Sequence, residues 1–329
     1  MHKEILEKIS QEVSNDFNTF KSHFLNSIVV ENTPTLLKTI ATYIVSSGGK
    51  KIRPLLTILV SKLFDLNDTK KKKIIHLATA IELIHTATLL HDDVIDESYL
   101  RRNNKTANNI WGNKGSILVG DFLFSQSFIE MVNTDNMKIL DILSKSSSKI
   151  AEAEVWQLDI IGDFDLSFEQ YISLITSKTA RLFESACECS AIVSDAKEDD
   201  IYAVKNFGLN LGVIFQINDD IADYFSNSDS LGKEPGGDFF ENKTTLPMIL
   251  LISTISEEDN KTLTKILSVT NKGKKELSDV MDYFEKYNIK KKAKETLNNF
   301  VTQGENHLKP INDSNVKNLL LKLIGCYKE

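Results

Sequence analysis

The chain is poor in the residues that build loops, staples and metal knuckles: its 329 residues include only 14 Gly, 5 Pro and 3 Cys. So little Gly and Pro excludes collagen-like and low-complexity classes. Cys187, Cys189 and Cys326 have neither zinc spacing nor an even count for disulfides, so inert thiols in a reducing compartment are expected. A basic excess is also missing. The net charge of −7 and a pI near 5.5 argue against a general nucleic-acid binder. No uninterrupted apolar run reaches the roughly 18 residues that span a bilayer. The opening MHKEILEKISQEV mixes acids and bases, unlike a secretory signal or a transit peptide, so a cytoplasmic location is expected. A GxxxxGK[ST] phosphate loop and clean two-residue alternation are both lacking, which argues against a P-loop enzyme and against sheets.

What the chain does have is helical patterning. Hydrophobic residues make up 41% and charged residues 26%, the balance of a soluble ordered globule with a large core. IIHLATAIELIHTATLL (74–90), SILVGDFLFSQSFIEMV (116–132) and IYAVKNFGLNLGVIFQINDDIADYF (201–225) carry apolar positions round most of the helix and read as core helices. Phe122, Phe124 and Phe128 are accordingly read as core packing. Punctuation falls at SSGGKKIRP (46–54), at TKKKK (69–73), read as a solvated loop, at 226–247 and at VTNKGKK (269–275). The segment 226–247 is long enough to close over a site. The expected architecture is an all-α helical bundle in a single domain over residues 1–329.

The chemistry begins in LLHDDVIDESYLRR (89–102). Asp92 and Asp96 are four apart and share a helix face, with Asp93 beside them. Stacked carboxylates repel unless a cation lies between them, and hard oxygen ligands suit Mg²⁺ shared with phosphates. Taken alone, a solvated helix end is an equally open reading. A second cluster, NDDIAD (218–223), repeats the spacing with Asp219 and Asp223, again after an apolar run. The two read as facing walls of one metal site in a bundle. Lys50, Lys51 and Arg53 follow Gly48-Gly49, Arg101 and Arg102 follow the first cluster, and Lys178, Lys233 and Lys243 lie further on. Acids, metal and bases together point to diphosphate.

GGKKIRP, ELIHTATLLHDDVIDESYLRR, SKTARLFE, FQINDDIADY and GKEPGGDFFENKTTLP resemble, in order, the signatures of the trans-isoprenyl diphosphate synthase (polyprenyl synthetase) family. The similarity runs from about residue 45 to 250 and is strongest to long-chain, octaprenyl-making members. It implies helices around a deep central cavity, a homodimer, and head-to-tail condensation of isopentenyl diphosphate with an allylic diphosphate. By the same resemblance Asp92, Asp96, Asp219 and Asp223 would bind Mg²⁺, supported by Asp93 and Asp220. Lys50, Arg53, His85 and Arg102 would hold the isopentenyl diphosphate, and Arg101, Lys178, Lys233 and Lys243 the allylic one. Thr179 and Gln216 would lie near the reacting carbons, and the departing diphosphate would serve as base. His85 stands two turns before Asp92 on nearly the same face; His76 and His91 have no such support.

Product length is expected to follow from Ala87 and Thr88, one turn beneath Asp92, where short-chain members commonly carry aromatics. Nothing large stands there, so a long all-trans product is expected, an octaprenyl chain for a quinone being the first choice. Release of such a product implies transient membrane contact. Three alternatives stay open: a short-chain farnesyl or geranylgeranyl diphosphate synthase, a non-catalytic partner subunit, and a terpene cyclase or head-to-head synthase. The last needs no second diphosphate clamp, which GGKKIRP supplies. A plain helical scaffold would leave two costly acid clusters unexplained.

Overall fold

The computed structural model describes residues 2–29, 32–46, 48–101, 104–226 and 235–328. The all-α expectation holds. The helices are α1 His2–Glu12, α2 Ser14–Ile28, α3 Thr35–Ser46, α4 Ile52–Ser61, α5 Asp68–Ile95, α6 Ala107–Asn133, α7 Met137–Asp159, α8 Phe168–Ile175, α9 Arg181–Val193, α10 Glu198–Phe225, α11 Gly237–Phe240, α12 Leu246–Thr254, α13 Glu257–Leu267, α14 Lys274–Lys286, α15 Ile289–His307 and α16 Asn315–Gly325. A π-helical turn, Thr176–Ala180, joins α8 to α9. Among the described residues the β-structure is one small hairpin, Leu100–Arg101 antiparallel to Asn104–Lys105.

The chain forms two compact units. The first comprises Met1–Ser148, Leu182–Gly208 and His307–Leu323, the second Lys149–Arg181, Leu209–Asn306 and Ile324–Glu329. In the first, α5 packs on α2, α4 and α6 and buries Leu77, Ala80, Ile81, Leu83, Ile84, Ala87 and Leu90. Its apolar positions go all round because neighbours surround it. At Gly208 an added Cβ would stand 2.6 Å from the Phe183 carbonyl oxygen and 2.7 Å from Cys187 Sγ, so only glycine permits that approach. Cys187 and Cys189 are fully buried, and desolvation raises both thiols far above their usual range, which fits inert core positions. In the second unit Tyr224, Phe239, Met248, Leu251, Leu263, Val280 and Phe284 form the core.

Two expectations need correction. The lysines of 69–73 are helical, forming the first turns of α5, because Asn67 caps that helix by accepting from the Lys70 N–H at 2.9 Å. Lys71 and Lys72 remain solvated, while Lys70 and Lys73 are half-buried and pair with Asp195 and Asp135. Residues 116–132 are only partly core: Ile117, Leu118, Phe128, Ile129 and Val132 of α6 are exposed. Phe128 is 40% exposed and stacks edge-on against Phe124, so core packing does not describe it. By length and apolar composition α5 and α6 would each suffice to cross a membrane, and α5 places most of that stretch in the protein interior.

Candidate active site

Both acid clusters fall in the last turns of helices 28 residues long, α5 and α10. The negative end of the helix dipole lies there, so carboxylates are unfavourable without a cation or another donor. Asp96 is the C-cap of α5, and its N–H donates to the Asp92 carbonyl at 2.8 Å, which puts the two on one turn. Asp92 is half-buried and Asp96 exposed. Asp93 is buried and accepts from Arg101 Nε at 2.8 Å. Burial raises its carboxyl above the ordinary value, and the guanidinium only partly offsets this. Asn108 donates to the Asp93 carbonyl at 2.9 Å and so ties the start of α6 to the end of α5. Arg102 lies outside the described residues.

The second cluster has other partners. Asp219 is exposed, while Asp220 and Asp223 are buried. Tyr171 donates its hydroxyl to Asp220 Oδ2 at 2.6 Å, and Gln216 donates Nε2 to Oδ1 at 2.8 Å. Thr179 in turn donates to Gln216 Oε1 at 2.7 Å. The amide is thereby held in one orientation between α9's entrance and α10. Burial pushes the Asp220 carboxyl up to about 7 against those two hydrogen bonds, with Asp219 and Asp223 adding to the rise. Asp223 Oδ2 accepts from the Asp238 N–H at 3.0 Å at the start of α11, and its carbonyl accepts from Gly236 at 2.8 Å. Gly236 has φ +85°, the left-handed conformation that lets the chain turn into α11.

The basic residues also find defined places. Gly48, Gly49 and Lys51 have φ of +84°, +129° and +44°, a backbone that turns sharply into α4. Lys51 stands at the N-cap of α4 without a side-chain cap, so the positive end of that helix suits an anion. Lys50 is exposed. Lys51 pairs with Glu82 at 3.1 Å and sits over the Phe24 ring. Arg53 lies over the Phe183 ring at 4.3 Å and donates Nη1 to His85 Nε2 at 3.1 Å. Guanidinium has no acceptor, so that ring nitrogen must present its lone pair and the proton sits on Nδ1. The structure thus brings Arg53 and His85 together. Lys178 lies within the π-helical turn and donates to Glu154 at 2.7 Å and to Gln157. Such turns insert one extra residue into a helix and recur at functional sites. Lys243 pairs with Glu241 at 2.6 Å. Lys233 lies outside the described residues, as do 227–234 of the segment read as a closing loop. Ala87 is buried and Thr88 half-buried, with its hydroxyl on the His85 carbonyl.

Sequence reasoning missed Tyr171, Glu154, Gln157 and Asp238. Glu154 and Gln157 are three apart on α7, a spacing that puts both on one face, but nothing local ties them to Lys178. Tyr171 precedes Asp220 by 49 residues and carries no motif.

The polyprenyl synthetase family profile matches residues 34–284. The chain belongs to the polyprenyl synthetase family. The octaprenyl diphosphate synthase of Escherichia coli (strain K12) is 39% identical over 74% of this chain and 74% of that one. Among solved structures, a decaprenyl diphosphate synthase from Rhodobacter capsulatus superposes with a TM-score of 0.92 at 32% identity, covering 98% of both chains. A polyprenyl synthase from Caulobacter crescentus CB15, complexed with calcium and isoprenyl diphosphate, gives 0.88 at 32% identity, covering 98% of this chain and 97% of that one. The protein is a trans-prenyl diphosphate synthase, an enzyme of an all-α, divalent-metal-dependent family.

Proposed function

We propose that this prenyltransferase is a Mg²⁺-dependent long-chain enzyme that extends an allylic diphosphate with isopentenyl diphosphate to octaprenyl diphosphate, for a quinone side chain. The observation that carries the length is the small pair Ala87 and Thr88 in the turn before Asp92. Thr88 is the more accessible of the two and is four residues from Asp92, on the same helix face.

In this reading Asp92, Asp96, Asp219 and Asp223 hold the metal, and their hard oxygen donors fit Mg²⁺. When bound, Mg²⁺ draws charge from the allylic diphosphate and favours its departure. Arg101, Lys178, Lys233 and Lys243 hold that diphosphate, while Lys50, Arg53, His85 and Arg102 fix the isopentenyl one so that its double bond meets the allylic cation. Asp93 aims Arg101, and Asp220 aims Gln216. Thr179 and Gln216 stand near the reacting carbons, where their dipoles answer the developing positive charge. The departing diphosphate takes the proton that restores the alkene.

The same reading takes residues 1–329 as one polyprenyl synthase domain in the cytoplasm, acting as a homodimer. The exposed stripe Leu118, Ile129 and Val132 on α6, flanked by Ile117 and Phe128, supports a second copy covering that face. Transient membrane contact accompanies product release.

The experiment is incubation with Mg²⁺, farnesyl diphosphate and labelled isopentenyl diphosphate, then sizing of the dephosphorylated prenols. A long prenol that Thr88→Phe shortens is the expected result. A farnesyl or geranylgeranyl product from the wild type would overturn the length reading and keep the reaction. No Mg²⁺-dependent product with any starter would favour a non-catalytic partner subunit.

A further inference from the structure

Away from the acid motifs, α2, α5 and α6 each send one ligand-bearing side chain to a single point. His23 Nε2 lies 2.9 Å and His76 Nδ1 2.7 Å from the same oxygen, Oε2 of Glu130. The three donor atoms fall within 4.8 Å of one another. The two imidazoles meet edge to face with centroids 4.7 Å apart. We propose that His23, His76 and Glu130 form a binding site for a d-block divalent cation of the Zn²⁺ type, separate from the diphosphate chemistry.

The argument starts from charge. Glu130 is 4% exposed, and among the described residues no lysine or arginine pairs with it. A buried carboxylate is costly unless a positive charge answers it. Two neutral imidazoles supply dipoles only, so the charge must come from a proton on one ring or from a cation. Burial works to raise the Glu130 carboxyl, yet the hydrogen bonds from both histidines hold it below the ordinary value. The ionised form is therefore the one the three helices are built around.

Geometry and donor type then choose the ion. Zn–N and Zn–O bonds of about 2.0–2.2 Å at tetrahedral angles place neighbouring ligand atoms about 3.3 Å apart. The observed nitrogen–oxygen separations of 2.7 and 2.9 Å need only a few tenths of an ångström of opening, and the two ring nitrogens, within 4.8 Å of each other, draw together about the ion by rotation of their half-exposed side chains. His23 and His76 keep side-chain exposures of 32% and 25%, which leaves a fourth position to water. Two nitrogens and one oxygen suit Zn²⁺, Cu²⁺, Ni²⁺ or Co²⁺, whereas Mg²⁺ prefers an all-oxygen shell. One ligand comes from each of three mutually packed helices, so a bound ion cross-links them and stabilises the unit that carries Asp92.

The test uses the full chain, stripped with chelator, titrated with Zn²⁺ by calorimetry and with Co²⁺ by visible absorption. The aspartate clusters would also take these ions, so the titration is run on the Asp92→Asn/Asp219→Asn double variant as well. Expected are one equivalent of Zn²⁺ that survives those two substitutions, an intense tetrahedral Co²⁺ spectrum, and a Zn²⁺-dependent rise in Tm. His23→Asn, at a half-exposed position that leaves the core intact, should weaken that equivalent at least about tenfold and abolish the spectrum. Glu130→Gln should do the same. Zn²⁺ binding that ignores His23→Asn and Glu130→Gln, or that vanishes with the aspartate substitutions, would overturn the proposal.

Discussion

The two units carry the same five-residue acid spacing at the ends of helices of equal length, yet each embeds it differently. In the first, the middle aspartate is answered by a guanidinium eight residues away; in the second, by a phenol and an amide that bring no charge. The outer aspartates differ as well. Asp96 is exposed, while its counterpart Asp223 is buried and accepts a backbone N–H. Identical aspartate spacing therefore sets where the carboxylates stand, and partners from elsewhere in the chain set what each of them does.

The largest expected effect tests what the clusters share. Asp92→Asn and Asp219→Asn, one in each unit, should each lower kcat roughly a thousandfold or more, since under the proposed function each removes a carboxylate that would hold the metal. Neither should lower Tm, because each also relieves like-charge repulsion at a helix C-terminus. Steady-state assays paired with thermal melts in chelator check this. If only one cluster matters for kcat, the equivalence of the two fails.

The next effect tests what they do not share. Arg101→Ala leaves a buried carboxylate without its guanidinium and should cost about 2–3 kcal/mol, reduced from the fully buried case because Arg101 is 37% exposed. Tyr171→Phe removes one neutral hydrogen bond from a group that already titrates near 7 and should cost about 1 kcal/mol. Urea midpoints of the two variants, measured in chelator, give the comparison directly. Equal losses would mean that the charge on the partner makes no difference.

This contrast also marks how far the sequence could be read. The all-α fold was legible because 74–90 and 201–225 carry apolar residues all round a helix, and the placement of the paired aspartates on one helix turn because i, i+4 spacing is a local property. Arg53 and His85 were legible as members of motifs, and they do meet. The partners of Asp220 were not, since packing alone brings Tyr171 to it and nothing in the local sequence records this. The lysines of 69–73 misled because charge runs are commonly loops, whereas Asn67 supplies a helix cap three residues ahead of Lys70. Apolar residues on α6 misled differently: Leu118 and Val132 are as hydrophobic as core residues, and only the fold reveals that they face outward.

The smallest effect sets Asp220 against Glu130, buried acids whose partners are neutral in one case and imidazoles in the other. With a folded pKa raised from 3.8 to about 7, Asp220 binds its proton more tightly when folded, so its contribution to stability grows as pH falls from about 7 towards 4. Glu130 is held below its ordinary 4.5, so its contribution is present above that value and is lost as pH falls through the lower folded pKa. His23, raised above 6.5 chiefly by its hydrogen bond to Glu130, contributes below that value and loses its contribution as pH rises through the higher folded pKa. Subtracting the stability of Glu130→Gln from that of the wild type, both in chelator, should therefore give a hump between about pH 5 and pH 6. The same subtraction for Asp220→Asn should rise steadily towards acid, by about 1 kcal/mol or less at each step of one pH unit. Two curves of the same shape would show that the imidazoles leave the Glu130 charge no better held than the phenol leaves that of Asp220.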